Sequence, residues 1–328
     1  MSSGQKPLRV AVAVIKNAQG ETLISLRDKS LHQGGLWEFP GGKIEWGESP
    51  VQALVREIKE ELDLTVISAT PLITVNHQYP DLCVQLQVFL VEDFIGEAKS
   101  CEGQPFMWVS SRDLRKYSFP EANRPIITAA CLPPYYAILD DADESTLIVN
   151  LHKILRAGVK LVQARLKQIS AESVQAFIAE AYPLCQQHGV VLLINSAARL
   201  TTNGHVFNEL SFSSGSTHAN DIDGLHLTSQ HLMARRRRPE HYKWLSASCH
   251  NLEELQWAER LGVDFVVLAP VFSTQTHPGI QPLGWEQFRQ LVAGTNLPVY
   301  ALGGMTKACL SAVKEAGGQG VAAIRAFL

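Results

Sequence analysis

From Tyr135 onward the chain repeats one texture: a short apolar run, a longer stretch with helical spacing, then another short run. The runs are Tyr135–Leu139, Lys160–Ala164, Val190–Asn195, Asp223–Leu227, Trp244–Ser248, Asp264–Ala269, Val299–Leu302 and Gly320–Ile324. Segments such as Ser170–His188, Leu252–Leu261, Trp285–Ala293 and Lys307–Glu315 read as the helices between them. Short apolar runs that alternate with helices are read as buried parallel strands. Eight such units in about 195 residues predict an α/β domain, a (β/α)8 barrel. Cys131-Leu132-Pro133-Pro134 marks where it begins, since two prolines stiffen a short linker. The 328 residues therefore divide into a first domain, 1–131, and a second, 132–328, and this length is comfortable for two.

Within the second domain, Thr201 to Ile222 is a polar, Gly/Ser/Asn-rich insertion, expected as a mobile loop near the barrel mouth. Arg235–Arg238 is a run of four arginines, read as a solvated helix end. Only Arg325 to Leu328 follow the last run, so the eighth helix is expected to be missing. The apolar surface left there is expected to be covered by the first domain or by a second subunit, as in a homodimer.

The first domain has a different texture. Arg9–Ile15 and Thr22–Arg27, separated by Asn17-Ala18-Gln19-Gly20, predict a hairpin. Leu72–Asn76, Cys83–Val91 and Phe106–Val109 read as further strands, and Glu121–Cys131 as a short helix. The sum is an α+β arrangement, a mixed sheet with flanking helices.

The chemistry is concentrated between Gly41 and Leu64. Ser49 suits a helix cap, Pro50 the first helical position, and Gln52 completes a capping box. Val51, Leu54, Val55, Ile58 and Leu62 follow at spacings of three and four and predict one apolar stripe. Glu57, Glu60 and Glu61 cluster off that stripe, and carboxylates so placed repel unless a positive charge sits among them. Mg²⁺ is the natural occupant, a hard cation that takes oxygen ligands and bridges to phosphates. A lone acidic run of this kind is also how a solvated helix face reads. The preceding Gly41-Gly42 favours the cation, because a backbone carbonyl without a side chain beside it approaches the same ion.

Composition closes off several classes. A net charge of −3 gives no general affinity for nucleic acid or anionic membranes, so no direct DNA binding is expected. Met1–Pro7 is polar, and no stretch is apolar and long enough to span a membrane. Six scattered cysteines lack any CxxC spacing, which argues against a zinc site or disulfide framework. The expected setting is reducing and cytoplasmic.

Gly42, Glu48 and Arg56-Glu57-Ile58-Lys59-Glu60-Glu61-Leu62-Asp63-Leu64 together resemble the Nudix box. One position departs: Asp63 stands where that family has glycine, and Asp is among the few side chains that tolerate a left-handed helix end. Phe39-Pro40-Gly41-Gly42-Lys43-Ile44-Glu45, Tyr79-Pro80-Asp81, Glu102-Gly103-Gln104-Pro105 and Phe119-Pro120-Glu121-Ala122-Asn123 resemble the MutT type, which hydrolyses oxidised guanine nucleoside triphosphates. The resemblance implies that Gly42, Glu57, Glu60, Glu61 and Glu102 hold Mg²⁺, with Mn²⁺ as a substitute. It implies that Glu57, Glu60 and Glu102 serve catalysis while Arg56 orients the glutamates, with Glu48 assisting. Arg27, Phe39 and Asn123 are the implied contacts to a nucleoside triphosphate, Asn123 reading the purine edge. Taken alone, Asn123 is equally a helix cap and Glu102 a solvated loop acid.

The second domain is similar to thiamine-phosphate synthase, a TIM barrel. The similarity is carried by Val162-Gln163-Ala164-Arg165-Leu166-Lys167, Leu193-Ile194-Asn195, Asp223-Gly224-Leu225-His226-Leu227, Ala269 to Thr276, and Ala301-Leu302-Gly303-Gly304-Met305. It implies a phosphorylated, thiamine-related ligand held by Gln163, Arg165, Lys167, Asn195, Thr274, Thr276, Gly303 and Gly304. The family's metal-binding aspartates would fall at Ser196 and near Gln230-His231, and its lysine at His277. Losing both hard-cation ligands removes the means of stabilising a departing pyrophosphate, so synthase activity is not expected. The expected function is Mg-dependent hydrolysis of 8-oxo-dGTP to 8-oxo-dGMP and pyrophosphate, in nucleotide-pool sanitation. The alternatives are a Nudix half acting on a thiamine-pathway pyrophosphate that the barrel recognises, a barrel acting as a ligand-binding regulatory module, and a barrel retained only as scaffold.

Overall fold

Strand β1 (Leu8–Ile15) runs through the centre of the first sheet because its residues from Ala11 to Ile15 are buried on both faces. The computed structural model describes residues 6–30, 32–202, 205–208, 222–273, 279 and 281–328, with backbone alone for 200–202 and 205–208. It separates into two compact units, Met1–Cys131 and Leu132–Leu328.

The first unit continues with β2 (Glu21–Leu26), β3 (Trp37–Glu38), β4 (Gly41–Lys43), helix α1 (Pro50–Leu62), β5 (Thr65–Gln78), β6 (Cys83–Ile95), β7 (Phe106–Ser110) and helix α2 (Arg124–Cys131). They form two sheets, ordered β4-β1-β6-β5 and β3-β2-β7. The first is mixed: β1 is parallel to β6 and antiparallel to β4.

Three expectations change here. The turn at Asn17–Gly20 forms, with Gly20 N–H donating to the Asn17 carbonyl at 2.9 Å. The flanking strands share only a Lys16–Thr22 bridge and then part into different sheets, so the hairpin is not continued. Strand β5 is much longer than Leu72–Asn76, because its first half is largely exposed on a sheet edge and carries no apolar signal. Register shifts between Val66 and Ile73 also break the alternation, and Pro71 is tolerated at such an irregular edge. The last helix begins as a 3-10 turn, Glu121–Asn123, before α2.

Helix α1 is capped as its sequence predicts: Ser49 accepts from Gln52 N–H, and the Gln52 side chain accepts from Ser49 N–H. Its buried side chains are Ala53, Leu54, Ile58 and Leu62. Val51 and Val55, expected on the apolar stripe, are instead exposed. At about 100° per residue, burying Ala53 turns the packed face towards the glutamates and leaves the valines on the rim. Glu57 and Glu61 thereby become half-buried instead of lying on a solvated face. Asp63 ends the helix at φ 55°, in the left-handed region.

The second unit is a closed barrel. Its strands are β8 (Tyr135–Asp140), β9 (Leu161–Arg165), β10 (Val191–Asn195), β13 (Gly224–Leu227), β14 (Trp244–Cys249), β15 (Phe265–Leu268), β16 (Val299–Ala301) and β17 (Gly320–Ala323), each parallel to its neighbours. Helices α3 (Glu144–Arg156), α4 (Ala171–Gln187), α5 (Ser229–Ala234), α6 (Leu252–Leu261), α7 (Gly284–Ala293) and α8 (Leu310–Glu315) lie between them. Within the polar insertion, β11 (Arg199–Thr202) and β12 (His205–Asn208) pair antiparallel, where a loop was expected; the rest of it lies outside the described residues. After β17 no helix follows, and Phe327 is buried in the barrel core beside Tyr135. Among the described residues no helix is long and apolar enough to cross a membrane.

Candidate functional site

Arg56 is the hub of the acidic cluster on α1. Its guanidinium donates to Glu48 at 2.8 and 2.9 Å, to Glu57 at 2.8 Å, to Glu60 at 3.2 Å and to the Lys43 carbonyl at 3.1 Å. These bonds hold the Glu48 carboxyl down to about 2 and raise the arginine's own pKa further above its ordinary value. Arg56 bridges Glu57 and Glu60, one turn apart, and ties the loop carrying Glu48 back onto the helix.

Glu61 faces the other way, towards the glycine loop, and accepts from Gly41 N–H at 3.1 Å. Burial, then the charges of Glu38, Glu57 and Glu102, push its carboxyl up to about 8. Gly42 lies against Glu57: a Cβ built there would sit 2.1 Å from the Glu57 carboxyl carbon. Only glycine lets backbone and carboxylate come this close. Among the described residues no three His, Cys, Asp or Glu side chains converge at metal-ligand spacing. Arg56 draws Glu60 outward, where it is 55 % exposed, and Glu102 stands on an exposed loop. The donor set still fits a hard cation: half-buried carboxylates crowd beside a bare backbone, and the repulsion that raises Glu61 is what a bound cation would remove.

Arg27, at the end of β2, is paired with Glu38, and its Nε donates to the His32 carbonyl at 2.6 Å. Phe39 is buried, its ring 5.3 Å from that of Phe119. Asn123 is also buried, on the 3-10 turn, and its side-chain amide makes no hydrogen bond among the described residues. Tyr79 packs edge-on against His32 and His77, and its hydroxyl accepts from Ala122 N–H at 3.4 Å, beside Asn123. Glu38 was not singled out in the sequence, although it sits one residue before Phe39-Pro40-Gly41. Its role is visible only once β3 pairs with β2.

The barrel has its own cavity, of about 500 Å³, at the C-terminal ends of the strands. Gln163, Arg165, Lys167, Asn195, Gly303 and Gly304 all line it. Thr274, Thr276 and His277 lie outside the described residues. Gly303 has φ 102°, and a Cβ there would meet Pro270 at 2.9 Å, so a side chain would force the wall apart.

Beneath the cavity a chain of buried hydrogen bonds crosses the barrel. Asn195 donates to Gln163 at 2.8 Å, and Gln163 to the Tyr136 hydroxyl at 3.0 Å. His226 continues it: Nδ1 lies 3.2 Å from that hydroxyl and 2.7 Å from Ser246 Oγ, and Nε2 lies 2.8 Å from Ser248 Oγ. Burial, then Lys167 and Arg165, hold this imidazole down to about 3, so it is neutral. Below the chain Tyr136, Phe265 and Tyr300 pack at 5.5 to 5.7 Å and plug the barrel. At the positions of the family's two carboxylates, Ser196 Oγ and His231 Nδ1 bond to each other at 2.8 Å, and among the described residues no Asp or Glu lines the cavity. A divalent cation therefore does not fit this cavity.

Residues 11–129 match the family described as NUDIX domain, and residues 135–327 match thiamine monophosphate synthase. The 8-oxo-dGTP diphosphatase of Escherichia coli (strain K12) is 41% identical over 122 residues, covering 37% of this chain and 95% of its own length. A putative thiamine-phosphate synthase 2 from Aquifex aeolicus (strain VF5) is 32% identical over 201 residues, covering 60% of this chain and 98% of its own. The chain belongs to both families. Its Nudix half is also 33% identical over 124 residues to the CTP pyrophosphohydrolase of Escherichia coli (strain K12), covering 38% of this chain and 91% of that protein. Nudix relatives thus carry names for different bases.

Proposed function

We propose that the Nudix half is a divalent-cation-dependent nucleoside triphosphate pyrophosphohydrolase that converts 8-oxo-dGTP to 8-oxo-dGMP and pyrophosphate. The observation that carries this is the crowding of Glu61 with Glu38, Glu57 and Glu102 beside Gly42. Glu57, Glu60, Glu61, Glu102 and the Gly42 backbone would hold Mg²⁺, or Mn²⁺ in its place. Bound there, such ions lower the pKa of water and neutralise charge on the phosphoryl oxygens. Arg56 positions Glu57 and Glu60, which must not rotate away as substrate enters. Arg27 contributes positive charge for the triphosphate, Phe39 the apolar wall, and Asn123 a donor and an acceptor for the purine edge.

The identity to the Escherichia coli diphosphatase supports the oxidised-guanine preference. Kinetics on 8-oxo-dGTP, dGTP, CTP and thiamine diphosphate test it. 8-oxo-dGTP is expected to lead by at least about tenfold in kcat/KM, a difference of about 1.4 kcal/mol in transition-state binding. A smaller margin, or a lead for thiamine diphosphate, overturns the assignment.

The barrel cavity supports a second role, as a binding site for a small phosphorylated, thiamine-related ligand. The grouping of Gln163, Arg165, Lys167 and Asn195 at one cavity favours it. Calorimetry of thiamine phosphate into the full chain is expected to give one site. If binding also changes the turnover of 8-oxo-dGTP, the barrel is a regulatory module.

A further inference from the structure

Among the described residues, the barrel cavity is lined by three arginine or lysine side chains and no carboxylate. Arg165 and Lys167 come from β9 and the residues after it, and Arg325 comes from the tail after β17. Arg325 belongs to none of the motifs that mark the second domain in the sequence. It reaches the cavity because β17 pairs with β8, and β8 with β9, which closes the barrel and brings the tail round to Arg165.

The charge around the cavity is lopsided. Arg165 donates to Asp140 at 2.6 Å, and Asp141 accepts from Gln168 N–H at 2.9 Å, but neither acid lines the cavity. Lys167 has its pKa lowered by burial and then by Arg165. The two cations thus repel one another in a partly desolvated space, and an anion between them would relieve the repulsion.

The positions where acidic ligands were looked for are closed to a cation by their own bonding. Thr228 N–H donates to Ser196 Oγ at 3.0 Å, and the same oxygen bonds to His231 Nδ1 at 2.8 Å. The pair satisfies itself and offers no charge to a metal.

We infer that the barrel holds the phosphate or diphosphate of its ligand without a divalent cation, with Arg325 joining Arg165 and Lys167 as the positive charge. Guanidinium groups suit this task, because their planar forks pair two N–H groups with two phosphate oxygens. The backbone at Gly303 and Gly304 also lines the cavity, and a side chain at either would run into Pro270 or Phe272. The neutral polar chain from Asn195 to Ser248 is then left for the uncharged part of the ligand. This inference rests on the reading of the cavity as a phosphate site.

Inorganic pyrophosphate titrated calorimetrically into the full chain in EDTA tests it, beside the same titration with Mg²⁺ in excess. One pyrophosphate per chain is expected in EDTA. Arg325→Ala is expected to weaken it at least tenfold, and Arg325→Gln, which keeps most of the side chain's packing, by a similar factor. Arg325→Lys should recover part of the affinity, and Arg289→Ala, on the exposed face of α7, should change nothing. Binding that occurs only with Mg²⁺, or that ignores both neutral Arg325 variants, overturns the inference and leaves the phosphate-site reading standing. Absence of binding under both conditions overturns that reading as well.

Discussion

A carboxyl held near 8, as Glu61 is, has been taken out of water among other carboxyls. Lys167 is displaced for the mirror-image reason, by burial beside Arg165. The first carries the proposed cation site and the second the proposed anion site. At the first, Glu57→Gln is expected to lower hydrolysis at least about 100-fold while circular dichroism stays unchanged, since the side chain is half-buried and isosteric. Substantial remaining turnover would remove Glu57 from the site. Gly42→Ala probes the approach of backbone to carboxylate. Its Cβ would displace the end of the flexible Glu57 side chain, so kcat/KM is expected to fall by about 100-fold with little change in melting temperature. Wild-type kinetics in this variant would show that the close contact is incidental. The acidic residues of this site are legible in the sequence because they follow one another on a helix. Glu38 is not, because its relation to Arg27 and Glu61 depends on strand pairing.

Among the elements, α1 shows how far periodicity reaches. Its start, cap, first-turn proline and left-handed end follow from local residue types, and each is where the sequence places it. Ser49→Ala removes one half of the capping box and is expected to cost about 1 kcal/mol in urea unfolding. No loss would mean that the helix start is held by packing alone. Periodicity misplaces Val51 and Val55, because the rotation of a helix on a sheet is decided by the sheet. The long β5 is hidden for a related reason: bulges and exposure erase a pattern that only burial writes. In the barrel, His226 couples the polar layer to pH. Its imidazole is held down to about 3 from an ordinary 6.5. Between those values the unfolded chain binds the extra proton, so barrel stability falls as pH drops from about 6.5 towards 3. Unfolding free energies for His226→Asn should show a shallower slope across that window. An equal slope would place the titration elsewhere.

The whole chain is two units whose junction residues are tied to opposite sides. Lys16 Nζ donates to the Ala130 carbonyl at 2.8 Å and Cys131 to the Ser111 carbonyl at 3.0 Å, within the first unit. Gln319 donates to the Leu132 carbonyl at 3.1 Å and Tyr300 to the Pro133 carbonyl at 2.5 Å, within the second. None of these bonds is broken by a cut between Cys131 and Leu132. Residues 1–131 produced alone are therefore expected to fold and to hydrolyse 8-oxo-dGTP within a few-fold of the full chain. An unfolded or inactive fragment would place the functional boundary elsewhere.

The eight short runs of the barrel, the cap of α1 and its acidic residues were determined by the sequence alone. Each depends on neighbours within a turn or a strand, where residue type sets backbone preference and side-chain direction. Only the tertiary structure decided which charges share a space. Glu38 and Glu61, or Arg165 and Arg325, are far apart along the chain, and the closing of sheet and barrel sets their separation. Electrostatic energy depends on that separation and on how much water is excluded. The fold thus groups Glu38 with Glu61 and Arg325 with Arg165, which their spacing in the sequence does not show.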